Sequence, residues 1–366
     1  MKDRNLRGYL DNLYGEYTIL DENRLHFSEY LKLMSGLFSG LNINVRFVWS
    51  KNGFTHFLVI DKRQYLIYDA KLGLYMNALR FPELAEDAGI GDFEELLFSA
   101  MTYIASGELL LNGHSQLCAF LNKKYVKNFC YNSPIGILDE MNQITSVLLH
   151  EWVHFIEKNS CEKLFENMKI INAVFNDFCD KKVSECRQIG QADRAMWYDS
   201  VFRYYFMDKN AKECCADLFG FEHYLMLRDK DEVFRMLTRI DGFVFDSLVA
   251  IHQTYMINHI KLVVDSAIKG EEYCFVEKDL YDQRLRITRE IYSRRLIAEV
   301  GVDRARKTHE RFTGYLYKYH QQMLGMLEDL HRIISQNKGV LSQSDRESLE
   351  NENCFEKYVW PPIDSE

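Results

Sequence analysis

Two kinds of apolar pattern divide the chain. Between residues 44 and 81, apolar residues fall in short runs separated by turn signals. The runs 44–50, 54–60, 64–70 and 73–81 read as strands. Asn52-Gly53 between the first two is a strong hairpin signal, so an antiparallel meander of three or four strands is expected. A helix fits 93–106, with Asp92 as its N-cap, and 123–131 reads as one more strand. A helix follows, with Ser133 as N-cap, Pro134 in its first turn and a stop at Asn159. From there to about residue 335 the apolar spacing is three-to-four throughout. It predicts helices over 161–186, 192–207, 209–227, 231–240, 243–268, 280–300 and 304–334. Residues 337–353 are polar and read as a loose tail, with 354–362 able to dock back on the body. The class is α+β, a small antiparallel sheet followed by a mostly helical core and a helical C-terminal region. The expected division is 1–115 for the sheet and its backing helix, 116–228 for the helical core, 229–336 for the C-terminal helices and 337–366 for the tail.

Composition narrows the classes. With 366 residues, 47% of them hydrophobic, the chain can bury a large core. A net charge of -9 offers nucleic acid and anionic lipid no general attraction. The arginines from Arg284 to Arg295, with Arg304, Arg306 and Lys307, are interleaved with acids and read as a solvated helix face. The nine cysteines are irregularly spaced and form no C-x-x-C, so they read as reduced thiols. The start lacks an apolar leader segment, and no run of about 18 uncharged apolar residues occurs. A cytoplasmic protein without a membrane span is expected.

The helix over 146–159 carries the chemistry. Its sequence, SVLLHEWVHFIEKN, is apolar nearly all round, yet it holds His150, Glu151 and His154. Residues four apart lie just over one turn apart, about 6 Å along the axis, so the two imidazoles share a face. That places two nitrogen donors on one small cation. Glu151, about 100° round from His150, can take a proton from a metal-held water without itself ligating. Burying such groups without partners costs several kcal/mol, and a metal removes that cost. Trp152 lies roughly opposite His150 and reads as core packing.

A catalytic Zn2+ needs a third ligand. In NAKECCADLFGFEHYL, residues 210–225, Glu213, Ala216, Asp217 and Gly220 form one helical stripe. The small members let two helices approach closely. Glu213 can then reach the metal, and Asp217 can accept a hydrogen bond from the free ring nitrogen of a ligating histidine. Glu157, on the histidine helix itself, is the rival ligand, ranked second because its closeness strains tetrahedral geometry.

HEWVH followed far downstream by ECCAD resembles the gluzincin group of zinc metallopeptidases. The E-x-x-A-D form is similar to the HtpX-like and CAAX-processing peptidases, their soluble minimal relatives and the phage-exclusion Lit group. The resemblance covers only those two segments and the order of sheet then helices. It implies a zincin-like core with His150, His154 and Glu213 on Zn2+, Glu151 as general base and Asp217 orienting a histidine. The metzincin extension is missing, since Glu157 and Ser160 occupy its glycine and last histidine positions. Candidates for stabilising an oxyanion are His223, His252 and Tyr255. The group commonly adds its substrate to an edge strand beside the active helix, for which 123–131 is the candidate. A protein or peptide substrate is implied, and the C-terminal helices offer a surface for a protein partner. Two other readings stay open, a catalytically silent interaction protein with a peptidase-like fold and a zinc hydrolase of a non-peptide amide.

Overall fold

The computed structural model describes residues 4–14, 17–19, 36, 43–50, 56–60, 62–80, 92–127, 137–158, 162–272 and 278–339. Helix α1 (Arg4–Tyr14) precedes β1 (Tyr17–Ile19), β2 (Ile43–Ser50), β3 (His56–Ile60) and β4 (Arg63–Asp69). The sheet order is β1-β2-β4-β3. β1 and β3 pair antiparallel with β2 and β4 respectively, whereas β2 and β4 run parallel.

The sheet is therefore mixed, not the expected antiparallel meander. β4 inserts between the two strands that the Asn52-Gly53 signal would have paired, and residues 51–55 lie outside the described residues. Burial explains the insertion. Tyr65 to Asp69 are all buried, and a run covered on both faces takes the centre of a sheet. Leu66 and Tyr68 join Val45 and Phe47 in the main core, while Tyr65 and Ile67 join Val48 against Leu6 and Leu10 of α1. The tight turn falls one strand later, where Ile60 pairs with Arg63 and Lys62 takes a left-handed φ of 64°.

The expected fourth strand is a helix, α2 (Ala70–Arg80). Asp69 caps it, accepting hydrogen bonds from the backbone N–H of Lys71 and Leu72 at 3.0 and 3.1 Å. Leu72, Tyr75, Met76 and Leu79 then fall on one stripe packed into the core. α3 (Phe93–Leu111) starts where expected, with Asp92 accepting from the N–H of Glu95 at 2.8 Å. The strand expected over 123–131 is not formed where it is described, because 123–125 close helix α4 (Ser115–Tyr125) and 128–136 lie outside the described residues.

The histidine helix is α5 (Ile137–Lys158). Its expected cap and stop, Ser133 and Asn159, lie outside the described residues. α6 (Glu162–Gln188) and α7 (Ala192–Trp197) follow, and then nine residues, Tyr198–Phe206, wind as a wider π-helix leading straight into α8 (Met207–Lys230). The aromatic segment packs on α6, where Tyr198 and Phe202 meet Phe178 and Arg203 donates to Asn176 and Asp180. The rest is α9 (Glu232–Leu237), α10 (Ile240–Lys269), α11 (Lys278–Val300) and α12 (Val302–Asn337). α10 packs along α12, whose buried face runs Phe312, Tyr315, Tyr319, Met323, Leu327, Leu330 and Ile334. The whole is α+β, a small sheet followed by helices.

One continuous cluster of buried side chains extends from Val45 to Ile334, so packing crosses the sequence positions 115 and 228 without a gap. α5 lies in its middle, packed against α2, α8, α10, β3 and β4. Its first half is tied down by polar side chains. Gln143 donates to the carbonyl of Gly73 in α2 at 3.3 Å, and Asn142 accepts from the N–H of Arg239 at the start of α10. Asn142 fits there because Gly242 has no side chain; a Cβ would come 2.5 Å from its amide. The second half of α5 carries the histidines.

Candidate metal centre

Two helices deliver the site. α5 presents His150 and His154, and α8 presents Glu213 and Asp217. They cross closely because Ala216 and Gly220 are small. Ala216 is fully buried, and a Cβ at Gly220 would touch the His150 nitrogen and the Leu149 carbonyl carbon at 3.5 Å. A methyl there makes ordinary van der Waals contact with the α5 backbone.

The imidazoles of His150 and His154 stand edge to face with centroids 4.8 Å apart. Their Nε2 atoms are 3.1 Å apart. Glu213 places Oε2 at 3.2 Å from Nε2 of His150 and Oε1 at 3.5 Å from Nε2 of His154. All three residues offer a ligand atom within 4.8 Å of the others. Ligands about 2.0–2.1 Å from a tetrahedral ion are separated by about 3.3 Å, and the observed spacings bracket that value. The donor set, two imidazoles that ligate in their neutral form and a carboxylate, suits a divalent ion of intermediate softness. The residues present therefore fit a metal.

Behind His150 lies its support. Nδ1 is 2.9 Å from Oδ1 of Asp217, which fixes the ring and aims Nε2 at Glu213 and His154. Burial alone would push the His150 pKa down, but hydrogen bonds and charge from Asp217 and Glu213 outweigh it and raise the value to about 10. Burial likewise opposes ionisation of both acids. Arg284 and His150 reverse that for Asp217; His150, His154 and Arg284 do so for Glu213, and both carboxyls sit below their usual range.

The sequence reading missed Arg284. It belongs to the stretch read as a solvated face, and Arg286, Arg294, Arg295, Arg304, Arg306 and Lys307 are indeed exposed. Arg284 is buried. Its Nε and Nη2 donate to the two oxygens of Asp217 at 2.8 Å each, and Nη1 lies 3.4 Å from Oε2 of Glu213. The available signal was periodicity: Arg284 falls in line with Thr288, Tyr292 and Leu296, the buried stripe of α11. Tyr292 was missed for the same reason; its hydroxyl donates to the Asp217 carbonyl at 2.7 Å.

The α5 helix is not buried all round. The His150 and His154 side chains are 19% and 23% exposed, and Glu151 is half-buried. The ligand face is thus partly exposed, while Leu148, Leu149, Trp152 and Val153 hold the helix in the core. The side chain of Glu157, the rival ligand, lies outside the described residues.

The oxyanion candidates make other contacts. His223 packs on Trp152 with centroids 4.1 Å apart, and its Nδ1 bonds the Phe219 carbonyl at 3.0 Å. His252 and Tyr255 are buried on α10, where His252 meets Tyr315 and Tyr319 of α12. An imidazole walled in by tyrosines reaches no substrate carbonyl, so the helical stripe that suggested these two was a core stripe. Five cysteines, Cys118, Cys179, Cys186, Cys214 and Cys215, are free and buried, in keeping with reduced thiols.

Compared with models of known protein families, with curated proteins and with solved structures, the chain matches none. Among the described residues, no helix is long and apolar enough to cross a membrane.

Proposed function

We propose that the protein is a zinc-dependent metallopeptidase of gluzincin type, with His150, His154 and Glu213 as ligands. The observation that carries this is the convergence of three ligand atoms from α5 and α8 at tetrahedral spacing, with Asp217 bonded to the far nitrogen of His150. A divalent ion held by His150, His154 and Glu213 would supply Lewis acidity for hydrolysis.

The chain's own groups divide the remaining work. Glu151 follows His150 directly and lies on the partly open side of α5, where it takes the proton from the attacking water and hands it to the departing amine. Asp217 keeps a proton on Nδ1 of His150, leaving the Nε2 lone pair for the metal. Arg284 and Asp217 offset each other's charge, so the site's remaining negative charge comes from Glu213 and Glu151, matching a divalent ion.

A peptide substrate finds an edge strand beside the active helix. With 123–125 helical, the candidate becomes β3, which stands at the sheet edge and packs against α5. An extended peptide adding to that edge would lie beside the strand that packs on α5.

The test pairs two measurements on the purified chain. Metal analysis is expected to find one zinc per chain, lost in His150→Ala. Proteolysis of unfolded protein substrates is expected from wild type and not from Glu151→Gln. A Gln variant that cuts as fast as wild type overturns the mechanism.

A further inference from the structure

We infer that Arg284 is a positioning residue that decides which of the two acids on α8 serves the metal, an inference that rests on the metal-site reading above. Glu213 and Asp217 lie one turn apart, and both reach His150, at Nε2 and Nδ1 respectively. Each is a carboxylate and chemically fit to ligate. Arg284 treats them unequally. It gives Asp217 two parallel bonds of 2.8 Å, one to each oxygen, and approaches Glu213 only at 3.4 Å.

The consequence is a division of labour. Asp217 has both oxygens engaged by the guanidinium, and Oδ1 also takes the His150 ring. It is held as an acceptor behind the histidine and withheld from the ion. Glu213, gripped more loosely, keeps its carboxylate turned to both Nε2 atoms. A planar fork that never loses its charge suits this task. Lysine would match the charge but not the two parallel bonds.

The arginine is also built in. Its side chain is 5% exposed, and a charge is placed there at a desolvation cost that only close partners offset. Tyr292, two turns along α11, bonds the backbone of the same Asp217, so α11 docks on that one residue at two points. The centre thus has a third helix, which supplies no ligand and sets the roles of those that do.

The experiment uses the full chain and reads metal binding instead of catalysis. Zn2+ affinity is measured by competition with a chromophoric chelator, and the donor set is followed by visible absorption of the Co2+ form. Arg284→Met is expected to bind Zn2+ about 10- to 100-fold more weakly, with an altered Co2+ spectrum. Arg284→Lys is expected to recover part of the affinity. Tyr292→Phe, which removes the other α11 bond to Asp217, is expected to bind as wild type. Arg284→Met at wild-type affinity with an unchanged spectrum overturns the inference. So does a loss in Tyr292→Phe as large as in Arg284→Met, since docking of α11 would then be the whole effect. Where circular dichroism shows Arg284→Met unfolded, Arg284→Lys carries the test, with weaker binding expected and wild-type binding overturning it. A wild-type chain that takes up neither ion fails at the earlier step, the metal site itself, and is told apart by that result.

Discussion

Oδ1 of Asp217 lies 2.9 Å from Nδ1 of His150, although 67 positions separate them in the chain. The bond joins two helices at the point where small residues let them touch, and it faces the ring nitrogen turned away from Glu213. Replacing Asp217 with Asn keeps the shape and removes the charge, leaving the buried Arg284 with only the more distant Glu213 as counter-ion. Asp217→Asn is expected to destabilise the fold by about 3–5 kcal/mol and to weaken metal binding by about 10-fold or more. Urea denaturation and chelator competition check the two effects separately.

Gly220 tests the helix contact itself. An alanine there makes ordinary contact with the α5 backbone and gains helix propensity, so Gly220→Ala is expected to fall within about 1 kcal/mol of wild type. Gly220→Val pushes two further carbons into the same space. It is expected to cost about 1–3 kcal/mol and to loosen metal binding as the ligands on α5 and α8 separate. Thermal melts of the metal-free and metal-loaded forms distinguish the two losses.

The charge on His150 gives the metal-free and metal-bound forms opposite pH behaviour. Its pKa is raised from 6.5 to about 10 in the metal-free fold. The resulting stabilisation is complete below about pH 6.5 and is lost as pH rises through about 10. Ligation needs the neutral ring, so metal uptake in this window releases a proton, and apparent affinity rises by up to about tenfold per pH unit before levelling near pH 10. Calorimetry in buffers of different ionisation heat measures the proton count. Affinity that is flat from pH 7 to 9 contradicts this.

A second buried ion pair, between two helices that carry none of the three candidate ligands, serves as a control. Arg80 of α2 bonds Asp246 of α10, both almost wholly buried. Arg80→Met strands the acid and is expected to destabilise by about 3–5 kcal/mol, while Arg80→Met with Asp246→Leu recovers much of the loss. Metal affinity of the folded fraction is expected to stay at the wild-type value in both.

The helices were legible because their signals are local. Asp92 before FEELL, or Ala216 and Gly220 in line with Glu213, can be read from a dozen residues. So could the convergence of His150, His154 and Glu213, since the i, i+4 histidines and the small-residue stripe each specify a face. The sheet was misread where a long-range demand won: the Asn52-Gly53 turn signal yielded to the need of 65–69 for cover on both faces. Residues 73–80 form a helix instead of the expected strand: Asp69, the cap of α2, looked like one more polar position in a strand. Arg284 escaped for a related reason. A buried charge is invisible in composition, and only its register with Thr288 and Tyr292 marks it. His252 and Tyr255 show the converse, as a polar stripe can be fully enclosed when the opposing helix brings tyrosines.

The order in which the site's parts leave the ribosome follows from their places in the chain. His150 emerges first, Asp217 a good deal later and Arg284 later still. A nascent chain stopped before residue 284 holds both imidazoles and both acids without the guanidinium that assigns their roles. Assembly of the centre therefore waits until residue 284 has been translated.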